Sequence, residues 1–228
     1  MDIVEIRKNA EKENIGIMPT RTKICGITRM EDARCAVKHG ADAIGFVFWE
    51  RSTRYISPAE AGAIVAALPP FVTIVGVHVD PTAEWVEETI ATAGLNLLQF
   101  HGDEPPEFCR QFSLPYLKAV RVRAGLDLLH YATRYAGATG AQGLLLDTYV
   151  EGEPGGTGHA FDWELVPGNL PLPLILSGGL HAGNVTRAVR VAQPWGVDVS
   201  SGVEAAKGIK DPEKIAAFMQ GVRVSERL

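Results

Sequence analysis

The chain predicts a single-domain (β/α)8 barrel, the TIM-barrel form of the α/β class. Three observations lead there. Eight short, β-rich apolar runs alternate with stretches rich in Ala, Glu and Leu. Tight hairpin signals between the runs are scarce, which suggests parallel strands joined by helical crossovers. Eight such units close naturally into a barrel, and 228 residues suffice for one. The competing fold is a doubly wound open sheet. It would use fewer strands and an early Gly-rich dinucleotide loop, which is absent. No internal linker divides the chain, so residues 21–228 are predicted to form the barrel and residues 1–20 an N-terminal extension of unassigned role.

The elements follow in order. The first run is "TKICG" (22–26), and Thr28 with Glu31 predicts a capping box for the helix after it. The second, "ADAIGFVF" (41–48), precedes Ser57-Pro58-Ala59-Glu60, a capping box with proline at the first helical position. The third, "VTIVGVHV" (72–79), leads to Asp80-Pro81, a cap-then-proline signal repeated at Asp211-Pro212. The fourth to sixth runs are "LNLLQFHG" (95–102), "YLKAVRV" (116–122) and "QGLLLD" (142–147). A loop carrying Gly152, Gly155, Gly156 and Gly158 follows, readable as a flap over a site or as a flexible connection. "LPLILSGG" (172–179) and "GVDVSSG" (196–202) complete the set.

Composition removes several function classes. A formal net charge of -5 argues against a nucleic-acid surface, which needs clustered Lys and Arg. No apolar run approaches the roughly 18 residues of a membrane span, and the charged N-terminus lacks a secretory core. Cys25, Cys35 and Cys109 form no C-x-x-C pair and suggest a reduced, cytoplasmic setting. A monomer and a homodimer are equally compatible with these features.

Active sites in this fold collect at the C-terminal ends of the strands. The residues there are Cys25, His78 with Asp80, Gln99 with His101, Arg121, Asp147, Ser177, and Asp198 with Ser200. Cys25 reads either as an inert packing residue or as a thiolate favoured by the neighbouring helix start. Cys35 and Cys109 fall within helices and read as packing. Asp147, after three leucines, suits a general acid if its surround is apolar. Lys23 and Asp198 share the inward parity of Cys25 on the first and last strands. They are expected to pair beneath it. "SGGL" and "SSGV" carry Gly178, Gly179, Ser200, Ser201 and Gly202 after the seventh and eighth strands, where many barrels hold a phosphate on backbone N–H groups. Arg54 could grip a substrate carboxylate through two parallel hydrogen bonds, although Arg51 is close enough in sequence to compete.

At these residues the chain resembles the phosphoribosylanthranilate isomerases of tryptophan biosynthesis. The matching stretches are "KICGIT", "GADAIGFVF", Ser52-Thr53-Arg54-Tyr55-Ile56-Ser57, "QFHGDE", "LLLDT", "GGTGHAFDW", "LSGGL" and "VDVSSGVE". They span about residues 22 to 220 in the family's order. Two departures stand out: His181-Ala182-Gly183 where the family usually has Asn-Pro-Glu, and Trp49 for a tyrosine or proline. The resemblance implies an Amadori rearrangement of a phosphorylated small molecule, needing neither metal nor organic cofactor. It assigns Cys25 as base and Asp147 as acid. Arg54 goes to the substrate carboxylate, and Gly178, Gly179, Ser200 and Ser201 to the phosphate. His101 and Asp198 support substrate binding. Two alternatives remain at this level: a metal-dependent pentose-phosphate epimerase using His78, His101 and Asp147, or a non-catalytic sugar-phosphate-binding barrel. An isomerase that also accepts the histidine-pathway aminoaldose is a broader variant of the first reading.

Overall fold

The computed structural model describes residues 19–123, 125–137, 140–148, 163 and 166–225. Eight parallel strands close into a barrel in chain order: β1 (Arg21–Cys25), β2 (Ala43–Val47), β3 (Thr73–His78), β4 (Leu97–Phe100), β5 (Tyr116–Val122), β6 (Gly143–Thr148), β7 (Leu174–Leu176) and β8 (Gly196–Val199). Seven α-helices lie among the described residues: α1 (Met30–Lys38), α2 (Pro58–Val65), α3 (Ala83–Ala93), α4 (Pro106–Cys109), α5 (Leu128–Tyr135), α6 (Val185–Ala192) and α7 (Pro212–Ser225). The predicted Gly152–Gly158 flap and most of the N-terminal extension lie outside the described residues.

The cap signals divide. Ser57 and Glu60 form the expected capping box with Pro58 at the start of α2. Asp211 accepts from the backbone N–H groups of Glu213 and Lys214 and caps α7. The box predicted at Thr28 does not form. α1 starts at Met30 after Arg29, which has no side-chain cap, and the Thr28 hydroxyl instead donates 2.6 Å to Gly208 O. Nor does Asp80 cap α3, whose N-cap is Thr82. Asp80 takes a positive φ of 45° and accepts from Asp103 N–H, bracing one strand-end loop against the next. In both cases a tertiary acceptor or donor outcompetes the local cap.

The main core lies between barrel and helices. Phe46, Phe100, Phe218, Ile24 and Leu98 are fully buried there, each worth roughly 1.5–3 kcal/mol of transfer free energy. Inside the barrel the floor is apolar, with Leu97, Leu117, Leu145 and Ile175 packed together. Charged and polar side chains fill the next level up, towards the C-terminal ends of the strands. "VEAAKGIK" adds an element the sequence reading missed, an antiparallel pair β9 (Glu204–Ala206) and β10 (Ile209–Lys210) beyond β8.

Candidate active site

A cavity of about 490 Å³ opens at the C-terminal mouth. Cys25 and Asp147 both line it, from strands β1 and β6, which stand three places apart around the closed barrel. Cys25 is only 7% exposed, packed with Val47, Val77 and the indole of Trp49, yet it forms part of the cavity wall.

The electrostatics of Cys25 differ from the expectation. α1 begins at Met30, five residues further along the chain. Burial pushes the thiol up, and the adjacent Lys23 ammonium only partly opposes it. The resting group is a neutral thiol held against a cation. Lys23 itself is held above its ordinary value: burial works against its charge, but Asp198, and Cys25 when it ionises, together outweigh that.

The expected charge pair is present. Lys23 and Asp198 are register partners across β1 and β8, with Nζ 3.0 Å from Oδ1, and both are buried. Ser177 Oγ donates to the other Asp198 oxygen at 3.3 Å. Lys23 Nζ also donates to Gln99 Oε1 at 2.9 Å. Gln99 Nε2 meets His101 Nδ1 at 2.9 Å, and His101 Nε2 lies 3.1 Å from Asp147 Oδ2. Asp147 Oδ1 accepts from Thr148 N–H at 2.8 Å. The surround of Asp147 is therefore polar on the protein side, with the cavity on the other.

The loops after β7 and β8 flank the same cavity. Gly178, Gly179, Ser200 and Ser201 line the cavity. Gly178 has φ 78°, and a Cβ there would lie 2.3 Å from Thr148 Oγ1 and 2.8 Å from Asp147 Oδ1. Glycine at this position brings the loop after β7 directly onto Asp147.

The family model described as N-(5'phosphoribosyl)anthranilate (PRA) isomerase matches residues 22–221. The chain belongs to the N-(5'-phosphoribosyl)anthranilate isomerase family. It is 75% identical over 211 residues to the isomerase of that name from Nitrosospira multiformis, covering 92% of this chain and all of that one. The crystal structure of phosphoribosyl anthranilate isomerase from Thermotoga maritima superposes with a TM-score of 0.82 at 42% identity, covering 90% of this chain and 99% of that one. A second crystal structure is of phosphoribosyl anthranilate isomerase in complex with reduced 1-(o-carboxyphenylamino)-1-deoxyribulose 5-phosphate. It matches with a TM-score of 0.78 at 41% identity, over 90% of this chain and 99% of that one.

Within this phosphoribosylanthranilate isomerase fold, not every expected residue reaches the mouth. Gly202 is not part of the cavity wall. A Cβ there would strike Leu180 O at 1.9 Å, so its small size serves packing of the loop after β7. His78 is one register off: Val77 lines the cavity while His78 points into the helix layer and shares a 2.9 Å hydrogen bond with Thr89 Oγ1. The set His78, His101 and Asp147 imagined for a metal is thus not brought together. No three His, Cys, Asp or Glu side chains among the described residues form a metal-binding group. Arg121 turns to the His101 carbonyl at 3.4 Å rather than to the cavity. Of the departures from the family pattern, Trp49 lines the cavity, whereas His181 is exposed and folds back to accept from Gly183 N–H.

Arg54 does line the cavity, but one edge of its guanidinium is already engaged. Nε and Nη2 grip Glu204 at 2.7 and 2.9 Å. Lys210, fully buried, joins the same carboxylate at 2.9 Å and donates to Ser200 O at 3.2 Å. Glu204, held below the usual carboxylate range by these cations despite the opposing pull of burial, anchors the arginine to the serine loop. Glu204 and Lys210 were missed because they belong to the unforeseen β9–β10 pair. Lys207, on the turn between those strands, also lines the cavity, as does Arg51. Arg51 and Arg54 therefore both reach the mouth.

Proposed function

We infer that the chain is a phosphoribosylanthranilate isomerase, converting N-(5-phosphoribosyl)anthranilate to 1-(2-carboxyphenylamino)-1-deoxyribulose 5-phosphate in tryptophan biosynthesis. One observation carries the assignment of roles: a thiol and a carboxylic acid share one cavity beside two loops suited to an anion. The reactive form carries the thiolate on Cys25 and the proton on Asp147. Asp147 protonates the furanose ring oxygen as the C1–O bond breaks, and the anthranilate nitrogen supplies electrons to form an iminium. The iminium acidifies the sugar C2–H, whose proton passes to Cys25. The resulting enolamine becomes the ketone when C1 gains a proton and the C2 hydroxyl loses one; loss of the proton from Cys25 and uptake of one by Asp147 restore the enzyme, so the isomerisation balances without an outside reactant.

Lys23 favours the thiolate by holding a positive charge beside it. The outer Nη1–Nη2 edge of Arg54 remains available for the anthranilate carboxylate, and Glu204 aims it. Gly178, Gly179, Ser200 and Ser201 offer backbone and hydroxyl donors to the phosphate, with Gly202 holding their loop in place. His101 and Asp198 position the acid and the Lys23 cation. Residues 21–228 constitute the catalytic unit. We place it in the cytoplasm, as a monomer or homodimer, acting on a small molecule without nucleic acid.

The decisive assay follows loss of phosphoribosylanthranilate fluorescence with a chelator present throughout. Full turnover supports the acid–base reading. Turnover that vanishes with chelation and returns with added metal favours an epimerase-like site, and binding without turnover favours a non-catalytic barrel.

A further inference from the structure

We propose that Gln99 is a positioning residue that fixes the tautomer of His101 and so decides where the proton of Asp147 can go. The inference rests on Asp147 as the acid and goes beyond it by naming what keeps that acid productive.

A line of hydrogen bonds runs from Lys23 through Gln99 and His101 to Asp147. Lys23 is an ammonium, with three donors and no acceptor. The amide atom 2.9 Å from its Nζ must therefore be an oxygen, which sets the orientation of the Gln99 side chain. Its NH2 group then faces His101 Nδ1 at 2.9 Å. An amide NH2 only donates, so Nδ1 must carry the lone pair. The proton of the neutral ring sits on Nε2, aimed at Asp147 Oδ2 at 3.1 Å. Gln99 is 1% exposed, and Asp198 Oδ1 lies 3.0 Å from the same ammonium, which leaves the Lys23 cation firmly placed against the amide oxygen.

Two consequences follow for the chemistry. With Nε2 already protonated, His101 offers no lone pair to Asp147, so the acid's proton cannot drain into the imidazole and is left for the substrate. As that proton departs, the carboxylate that forms is met at once by His101 Nε2–H and Thr148 N–H, both already in place. Donors aimed in advance at developing charge lower a barrier because they need no reorganisation. The same lysine that faces Cys25 thus sets the hydrogen-bond polarity reaching Asp147, linking base and acid through Gln99.

The test has two arms. In the ligand-free wild-type protein, nitrogen NMR of His101 should show Nδ1 unprotonated and Nε2 protonated. Gln99→Glu, which presents only acceptors, should move the proton to Nδ1. It should also lower kcat roughly 10- to 100-fold with KM changed less than about threefold. Gln99→Leu should lose kcat similarly while leaving the ring a mixture of tautomers. A wild-type His101 protonated at Nδ1 alone, or a folded Gln99→Glu protein with unchanged kcat, overturns the proposal. Asp147→Asn, measured alongside, separates the two readings. If Asp147→Asn keeps wild-type kcat, the acid assignment fails even where the tautomer is as stated.

Discussion

Lys23 Nζ lies 3.0 Å from Asp198 Oδ1 in the barrel interior, on strands that meet only because the barrel closes. Neither charge has bulk water to fall back on. Lys23→Met should therefore destabilise the fold by about 3–5 kcal/mol, the cost of stranding a buried partner. Replacing both residues by apolar ones of similar size should recover much of that loss. Denaturant unfolding of the two variants checks this, and a Lys23→Met protein as stable as wild type would mean the pair is solvated.

His78 makes stability depend on acid. Burial between Phe48, Phe100 and α3 lowers its pKa from 6.5 to about 4. A group whose folded pKa is depressed contributes stability that is present above its unfolded value and lost as pH falls through the folded one. Stability should thus decline from pH 6.5 to 4, by about 3 kcal/mol at most, since each pH unit of separation is worth about 1.4 kcal/mol. His78→Phe should flatten that part of the curve in denaturant titrations.

The thiol of Cys25 should be sluggish at neutral pH. Burial raises its pKa, so the thiolate fraction at pH 7 is smaller than that of free cysteine. Alkylation of Cys25 by a small reagent, followed by peptide mass spectrometry, should quicken about tenfold per pH unit and show no plateau below pH 8.5. A plateau near neutrality would mean that Lys23 dominates over burial.

Glu204 should act on binding rather than chemistry. Glu204→Gln loosens both the Arg54 fork and the Lys210 contact. KM should rise about tenfold, equivalent to one charge-assisted hydrogen bond, with kcat nearly unchanged. An unchanged KM would show that Arg54 needs no such aiming.

Much of this was legible in the sequence because a barrel converts parity into place. Strand alternation put Lys23, Cys25 and Asp198 inward, and the strand-end rule put Cys25, His101, Asp147 and the glycine-serine loops at one mouth. The same alternation correctly applied would have turned His78 away, since Val77 and His78 cannot both face the cavity. Caps at Thr28 and Asp80 failed for another reason: their side chains satisfy groups far along the chain, which no local pattern encodes. The Arg54–Glu204–Lys210 cluster was hidden because "VEAAKGIK" has neither helical nor clear hairpin periodicity. The rise in the Cys25 pKa depends on how tightly Val47, Val77 and Trp49 close around the sulfur.

The claim that Cys25 takes the sugar proton is tested most directly by the turnover of Cys25→Ser at saturating substrate. A hydroxyl is a far weaker base than a thiolate but nearly the same size. The account predicts a kcat lower by about 10²- to 10⁴-fold with KM little altered. A Cys25→Ser protein turning over at close to the wild-type rate would contradict it.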